Sequence, residues 1–256
     1  MMARHLRRLA LTALLPVAVL VAWWVTSAQS TSPYYPPLSQ VLDTFRTTWV
    51  FARVPSDVVP GVSRMAAGYA LGTLAGVAVG VVLGRFRPLG RALNPAVQFG
   101  RSLPGATLVP ISVLVFGIGD FGKIVVIGFI AMFPVLLNTI DAVRSLDPQV
   151  EDVCRVFRLT PAQRLLSVLL PASGPQIVSG MRVSLQLAFI MMVVTEMFAS
   201  TNGIGRVTVE AKSTFDMPAM WSGMLLLGIL GIASNGLLLI FQRRVLRWHS
   251  GLMKGI

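Results

Sequence analysis

Six apolar runs, near residues 9–27, 60–84, 103–118, 122–142, 181–200 and 219–242, decide what this chain can fold into. A helix needs about 20 consecutive apolar residues to cross roughly 30 Å of hydrocarbon, and each run is bounded by charge, proline or aromatic side chains. The third is short and interrupted by Pro110. Composition agrees: 54% of residues are hydrophobic and 12% charged, with a mean hydropathy of +0.73, whereas a soluble domain carries roughly 25% charged residues. The expected fold class is therefore an all-α membrane protein with about six transmembrane helices. A net charge of +12 would suggest nucleic acid in a soluble chain, but here the basic residues cluster between apolar runs, where they set topology. Cys154 is the single cysteine, which excludes an internal disulfide, and His5 and His249 stand at opposite ends of the chain, so no metal constellation is recognisable.

Six alternating spans place both termini on one side of the membrane. Sixteen of the 22 lysines and arginines fall on that side, in clusters around Arg4, Arg85 to Arg101, Arg144 to Arg182 and Arg243 to Lys254. The other side holds Arg46, Arg53, Arg64, Lys123, Arg206 and Lys212. Cytoplasmic loops are the Lys/Arg-rich ones, so both termini are expected in the cytoplasm. Trp23, Trp24, Trp221 and Trp248 sit near span ends, as interfacial anchors do. The alternative for the first run is a cleaved signal peptide, because "MARHLRR" precedes it and "TSA" ends it at Ala28; its length of about 17 apolar residues exceeds the usual 7 to 15. Between the first two spans, a proline-punctuated turn and an amphipathic helix from Ser39 to about Phe51 are expected as an external packing element.

Glycines recur at 68, 72, 76, 80 and 84, putting a shallow groove along one face of the second span. Helices in lipid associate through such close backbone packing, so Gly68, Gly72, Gly76, Gly80 and Gly84 are read as a packing stripe within the subunit, with a dimer seam as the alternative. The stretch "GIGDFGKI" matches seven positions of a phosphate-binding loop but puts Ile124 where Ser or Thr must hold magnesium, and no strand precedes it. It is read as a tight turn between spans. Glu196, beside Thr195 in "FIMMVVTEMFAS", is the main candidate for a charge at membrane depth. That position costs roughly 3 kcal/mol, so Glu196 should face a cavity or partner, or else reach water at the outer interface. No second buried acid or histidine forms a proton relay with it.

The segment 147–171 is neither apolar enough to span nor polar enough for slack linker. Asp147 is a plausible N-cap with Pro148 at the first helical position, and Val150, Val153, Cys154 and Phe157 then recur on one face. A second helix starts at Thr160, with Pro161 behind it and Gln163 at the capping-box position; its apolar face is Ala162, Leu165, Leu166 and Leu169, and it is expected to end at Pro171. Gln149, Glu151, Asp152, Arg155, Arg158, Gln163 and Arg164 form the face expected to point outward, either onto a docked partner or onto anionic lipid.

This hairpin resembles the cytoplasmic EAA loop of importer permeases powered by an ATP-binding cassette (ABC). In that loop, Glu-Ala-Ala is followed four residues later by Gly and then by Leu-Pro. Counting back from Leu170 and Pro171, Asp152 stands at the Glu position, Val153 and Cys154 at the alanines, and Arg158 at the glycine. Loss of that glycine leaves the turn to Arg158 and Leu159. The stretches "SRMAAGYALGTLAGVAVGVVLG", "RSLPGATLVPISVLVFGIGDFGKIVVIGFIAMFPVLLNT" and "LLPASGPQIVSGMRVSLQLAFIMMVVTEMFASTNGIG" resemble the nitrate, sulfonate and taurine branch of these permeases and cover most of residues 63–205. The resemblance implies a type I importer fold in the bacterial cytoplasmic (inner) membrane, with no catalytic residue and no cofactor in this chain. ATP and magnesium would be held by two cytoplasmic ATPase subunits. The other implied partners are a second permease subunit, as a homodimer, and a periplasmic or lipid-anchored solute-binding protein. Coupling to the ATPase would fall on Glu151, Asp152, Val153, Cys154, Arg155, Phe157, Arg158, Leu170 and Pro171.

The expected organisation is a tail and first span over residues 1–28, an external loop over 29–59, a permease core over 60–242 that includes a coupling loop at about 143–180, and a basic tail over 243–256. The solute is left open among aliphatic sulfonates, taurine, nitrate and similar compounds. A stand-alone secondary transporter or channel is the rival reading; it would want more buried ionisable groups or discontinuous helices than the sequence displays. A membrane scaffold that uses the hairpin only as an anchor is the third.

Overall fold

The structure, a computed structural model, describes residues 2–246, apart from the side chains of residues 2–13, Pro16, Phe51 and Ala199. Arg247, Trp248, His249 and Lys254, and with them most of the expected basic tail, lie outside the described residues. Every regular element among the described residues is helical: α1 (Met2–Ser27), α2 (Leu38–Thr47), α3 (Val59–Arg85), α4 (Arg87–Ser102), α5 (Gly105–Phe116), α6 (Asp120–Arg144), α7 (Pro148–Val156), α8 (Pro161–Gln163), α9 (Leu170–Ala199), α10 (Ile204–Ser213) and α11 (Met217–Val245).

Four helical stretches are long and apolar enough to cross a bilayer: Val54–Arg85, Asp120–Arg144, Pro161–Phe198 and Met217–Val245. The expected third span differs. Its core is α5, whose 12 residues rise only about 18 Å. It becomes a span only together with α4, from which it is bent by 92°. Pro110 lies harmlessly inside α5. The break falls instead at Leu103, because Pro104 drives the residue before it into extended backbone, and Leu103 has ψ 125°. Residues 87–102, expected as a basic cytoplasmic loop, are thus an amphipathic helix belonging to that broken span. The first expected span corresponds to α1, whose described apolar portion is Val17–Ser27.

The core is a layer of α3, α6 and α9. Gly68, Gly72, Gly76, Gly80 and Gly84 are all buried, and α6 fills the groove they leave. A Cβ on Gly76 would lie 2.7 Å from the Met132 carbonyl oxygen, and one on Gly80 would lie 2.6 Å from Cβ of Thr139. The glycine face is therefore taken up inside the subunit, not left free for a dimer seam. Ile127, Ala131, Ala188 and Met192 fill the centre of the layer with no exposure to solvent.

Around this layer, α5 lies on α6 and α9, while α10 and α11 pack at the other side. The helix expected from Ser39 to about Phe51 is α2, extended by a wider π-helical turn over Thr48–Ala52. It is pinned by Trp49, which is 2% exposed and donates from Nε1 to Ser222 Oγ at 3.0 Å. Trp23 and Trp221 meet with ring centroids 5.2 Å apart, and the Leu38 amide donates to Ser27 Oγ, so α1 is tied to the bundle at its C-terminal end. The stretch read as a tight turn is one: Gly117 has φ +75°, and α6 begins at Asp120.

Candidate functional site

The hairpin after α6 begins as its sequence specifies. The Asp147 side chain accepts from the Gln149 amide at 2.9 Å, with Pro148 at the first helical position. Thr160 and Gln163 form a reciprocal capping box. Between them, Arg158 takes the left-handed conformation at φ +50°. Its amide donates to the Arg155 carbonyl and the Leu159 amide donates to the Cys154 carbonyl, each at 3.0 Å. This is a Schellman closure of α7, the termination that favours glycine at the position Arg158 holds.

Two expectations for the hairpin are corrected. The second helix does not end at Pro171. It runs from Pro161 to Phe198 without a break, because the turns over Arg164–Leu169 widen to π-helical spacing. Such widening accommodates the missing amide and the ring of Pro171, which sits in the first turn of α9. The loop assigned to about 143–180 accordingly narrows to the stretch between Arg144 and Pro161, and Leu170 and Pro171 belong to α9.

The rotation of α7 also differs from expectation. Val153, Val156 and Phe157 are 54%, 78% and 73% exposed, and Leu166 is exposed too, while Val150 and Cys154 turn inward. The reason is electrostatic. Glu151, expected on the outer face, turns toward Arg85 at the end of α3, whose Nη1 donates to Oε1 at 2.8 Å, and toward Arg164 at the foot of the long helix. One carboxylate between two guanidiniums fixes the rotation, and its neighbours on the opposite face are left in water. Asp152 is exposed, and Arg155 reaches both carboxylates from the same side of the helix as Glu151, 3.4 Å from Asp152 and 3.9 Å from Glu151. Behind α7 is a cavity of about 520 Å³ whose lining includes Arg85, Arg144, Glu151, Cys154 and Arg164.

A second feature lies at the break in the third span. A Cβ on Gly90 in α4 would meet the Arg144 side chain, whereas one on Gly100 would meet the Phe133 ring. Near α5, Gly105 approaches Ile130, and Phe116 approaches Gly122. The broken span therefore enters beside the C-terminal end of α6, reaches its middle at the break, and leaves toward its N-terminal end. Arg101, assigned from sequence to a cytoplasmic loop, sits at that mid-depth and is exposed. A cationic side chain at the centre of a bilayer costs about 2.5–3.5 kcal/mol, so it must face water, an anion or a partner. It borders a cavity of about 470 Å³ between α5, α6 and α9 and also a smaller one of about 250 Å³ whose lining includes Asp141 and Arg144.

Glu196 and Thr195 occupy neither cavity. Both are 1% exposed, and Thr195 Oγ1 donates to the Met192 carbonyl at 2.9 Å. Glu196 Oε2 accepts from the Gly205 amide at 2.9 Å, and Oε1 is 3.8 Å from Arg64 Nη1. Arg64 reaches Asp120 and Asn202, Lys123 donates to Ser200 Oγ at 2.7 Å, and Asp57 accepts from the Gly203 amide at 2.8 Å. These contacts knot the N-terminal ends of α3, α6 and α10 to the C-terminal end of α9. Gly203, at φ +123°, is the position where no other residue fits, because a Cβ there would collide with the Glu196 carboxylate.

Residues 71–248 match the family of binding-protein-dependent transport system inner membrane components. The chain belongs to that family. This permease is 28% identical over 240 residues to the aliphatic sulfonates transport permease protein SsuC of Bacillus subtilis, covering 93% of this chain and 87% of the relative. It is 32% identical over 149 residues to the nitrate import permease protein NrtB of Synechococcus elongatus, covering 58% and 53%. Among solved structures, an inward-facing conformation of the MetNI methionine ABC transporter superposes with a TM-score of 0.65 at 22% identity, over 74% of this chain and 94% of that one. The protein is thus an inner-membrane permease subunit of an ABC importer with a type I importer fold, working with an ATPase on a separate subunit and a solute-binding protein.

Sequence reading missed the two arginines that hold Glu151 and the depth of Arg101. The first carried no local signal, because Arg85 and Arg164 lie 66 and 13 residues from Glu151. The second did carry one: "RSLPG" places a proline three residues after an arginine at the start of an apolar run.

Proposed function

We propose that the permease couples to its ATPase through α7 and the turn that follows, and that it transports a small anion of the sulfonate or nitrate type. The single observation that supports this most is the exposed mixture on α7. Val153, Val156 and Phe157 stand out beside Asp152 and Arg155, and apolar knobs within a charged rim suit a protein partner better than bare lipid headgroups. ATP and magnesium belong to that partner. Two permease copies, as a homodimer, with two ATPase subunits and an external binding protein complete the assembly, and both termini face the cytoplasm.

The geometry supplies a transmission. When ATP draws the ATPase pair together, α7 moves with it. Glu151 links α7 to the end of α3 through Arg85 and to the foot of the long helix through Arg164, while the second limb of the hairpin is the same helix that ends at Phe198. A shift at the elbow therefore reaches two of the three core helices without an intervening flexible joint. Because the ATPase and permease states are linked, solute delivery outside favours ATP-driven closure inside to the same degree.

The test uses proteoliposomes of the complete complex. Replacing Asp152 and Arg155 together by alanine is expected to reduce solute-stimulated ATP hydrolysis at least fivefold while the complex stays assembled. Undiminished stimulation refutes the assigned role.

A further inference from the structure

The cavity of about 520 Å³ behind α7 carries more positive charge than the contacts of the hairpin neutralise. Four guanidiniums line it, those of Arg85, Arg87, Arg144 and Arg164, and the one carboxylate among its lining residues is that of Glu151. Glu151 is already shared. Arg85 and Arg164 donate to its Oε1, and Arg155 comes within 3.9 Å of Oε2. Arg87 and Arg144 take part in none of the salt bridges found among the described residues, and Arg144 donates instead to the Leu83 carbonyl at 3.3 Å. The acids nearby are engaged or stand apart. Asp147 caps α7 through the Gln149 amide, Asp152 lies 3.4 Å from Arg155, and Asp141 lines the smaller cavity next door, which Arg144 also borders. Helix dipoles do not settle the sign, because the carbonyl ends of α3 and α6 and the amide ends of α4 and α7 all border the space. The arginines do.

Two spans end at this cavity, α3 at Arg85 and α6 at Arg144, on the side that carries most of the lysines and arginines. That is the depth of lipid headgroups. Phe86, part of the lining, is exposed, and Val82 and Val79 continue an exposed apolar stripe from it along α3 at helical spacing. We propose that the cavity holds the headgroup phosphate of an anionic phospholipid, whose acyl chains lie along that stripe. Guanidinium forks bind phosphate oxygens in pairs, and basic pockets between span ends on the arginine-rich side suit anionic headgroups. A zwitterionic lipid would bring a further cation into a space already crowded with them. The bound phosphate relieves repulsion among four like charges and braces α7 from behind, while Val153, Val156 and Phe157 stay free for a partner. This site depends on the membrane fold and not on the coupling role of α7, so either can fail alone.

The experiment places the complete complex in nanodiscs of phosphatidylglycerol and phosphatidylcholine in equal parts and counts, by native mass spectrometry, the lipids that stay on the permease chain. Wild type is expected to retain one phosphatidylglycerol per permease and to prefer it to phosphatidylcholine at least tenfold. Arg87→Gln with Arg144→Gln should lower that retention at least fivefold. Arg91→Gln with Arg243→Gln removes the same charge from exposed positions outside the cavity and should change it less than twofold. A wild-type preference below twofold overturns the site, because the arginines are then merely solvated. Equal retention in the two double variants overturns it too, because net charge alone then gathers the lipid. The source of the phosphate is read from Cys154, the single cysteine of the chain and part of the cavity wall, labelled with a small maleimide in lipid-depleted detergent. Added phosphatidylglycerol should slow labelling at least fivefold, and inorganic phosphate at matched ionic strength less than twofold. Protection by phosphate as strong as that by the lipid would assign the cavity to a free anion and overturn the inference. Retention of phosphatidylglycerol by the permease alone but not by the complete complex would assign the cavity to an acidic side chain of the ATPase, and overturn it as well.

Discussion

Arg158 holds a conformation that glycine adopts without penalty. A non-glycine residue in the left-handed region costs about 1 kcal/mol, and the two hydrogen bonds that close α7 hold Arg158 there. Replacing it with glycine should raise stability by about 0.5–1 kcal/mol, readable as a higher melting temperature in detergent; a lower one would mean that the guanidinium makes a contact worth more than the strain. Glu196 lies at the opposite extreme. Its carboxylate is fully buried between Arg64 and the Gly205 amide. Truncation to alanine leaves the buried Gly205 amide without its acceptor, while Arg64 keeps Asp120 at 2.7 Å, and should cost about 1–3 kcal/mol, seen as a lower melting temperature in detergent. The sequence announced Glu196 as unusual but left open whether it met a cavity, a partner or water. Its partners come from two other helices, α3 and α10, and no local pattern encodes them.

Elements whose cause is local were legible, and elements whose cause is tertiary were not. The caps at Asp147 and Thr160 and the glycine stripe on α3 are each written into a few adjacent or periodic residues. The apolar spacing of α7 does not mark its buried side. The long-range contacts of Glu151 with Arg85 and Arg164 turn the apolar side chains Val153, Val156 and Phe157 outward instead. Pro171 was read as a stop, yet the widened turns ahead of it carry the helix through. The stripe allows a sharp prediction: Gly76→Val would drive its Cβ into the Met132 carbonyl region. Overpacking against backbone that cannot retreat should cost roughly 2–3 kcal/mol, read by thermal denaturation, and intact stability would show that α3 and α6 can separate without penalty.

At the scale of the whole subunit, α7, the proposed docking element, meets the core through one partly exposed carboxylate and through the long helix that continues the hairpin. Ion pairs of that kind contribute about 0.2–1 kcal/mol each, so Glu151→Ala should change melting only slightly. Its effect should fall on coupling, with solute molecules moved per ATP hydrolysed dropping severalfold; an unchanged ratio would place the transmission elsewhere. The central claim is that the outward face of α7 is gripped by the ATPase. The direct measurement is cross-linking with a short bis-maleimide in the assembled complex, using a Cys154→Ser background and an ATPase bearing single cysteines around its docking groove. Val156→Cys, at a position 78% exposed on α7, should join the ATPase in high yield, and Leu114→Cys, at a position 87% exposed on α5, should not. A complex that hydrolyses ATP in response to solute yet gives no product at position 156 would contradict the account.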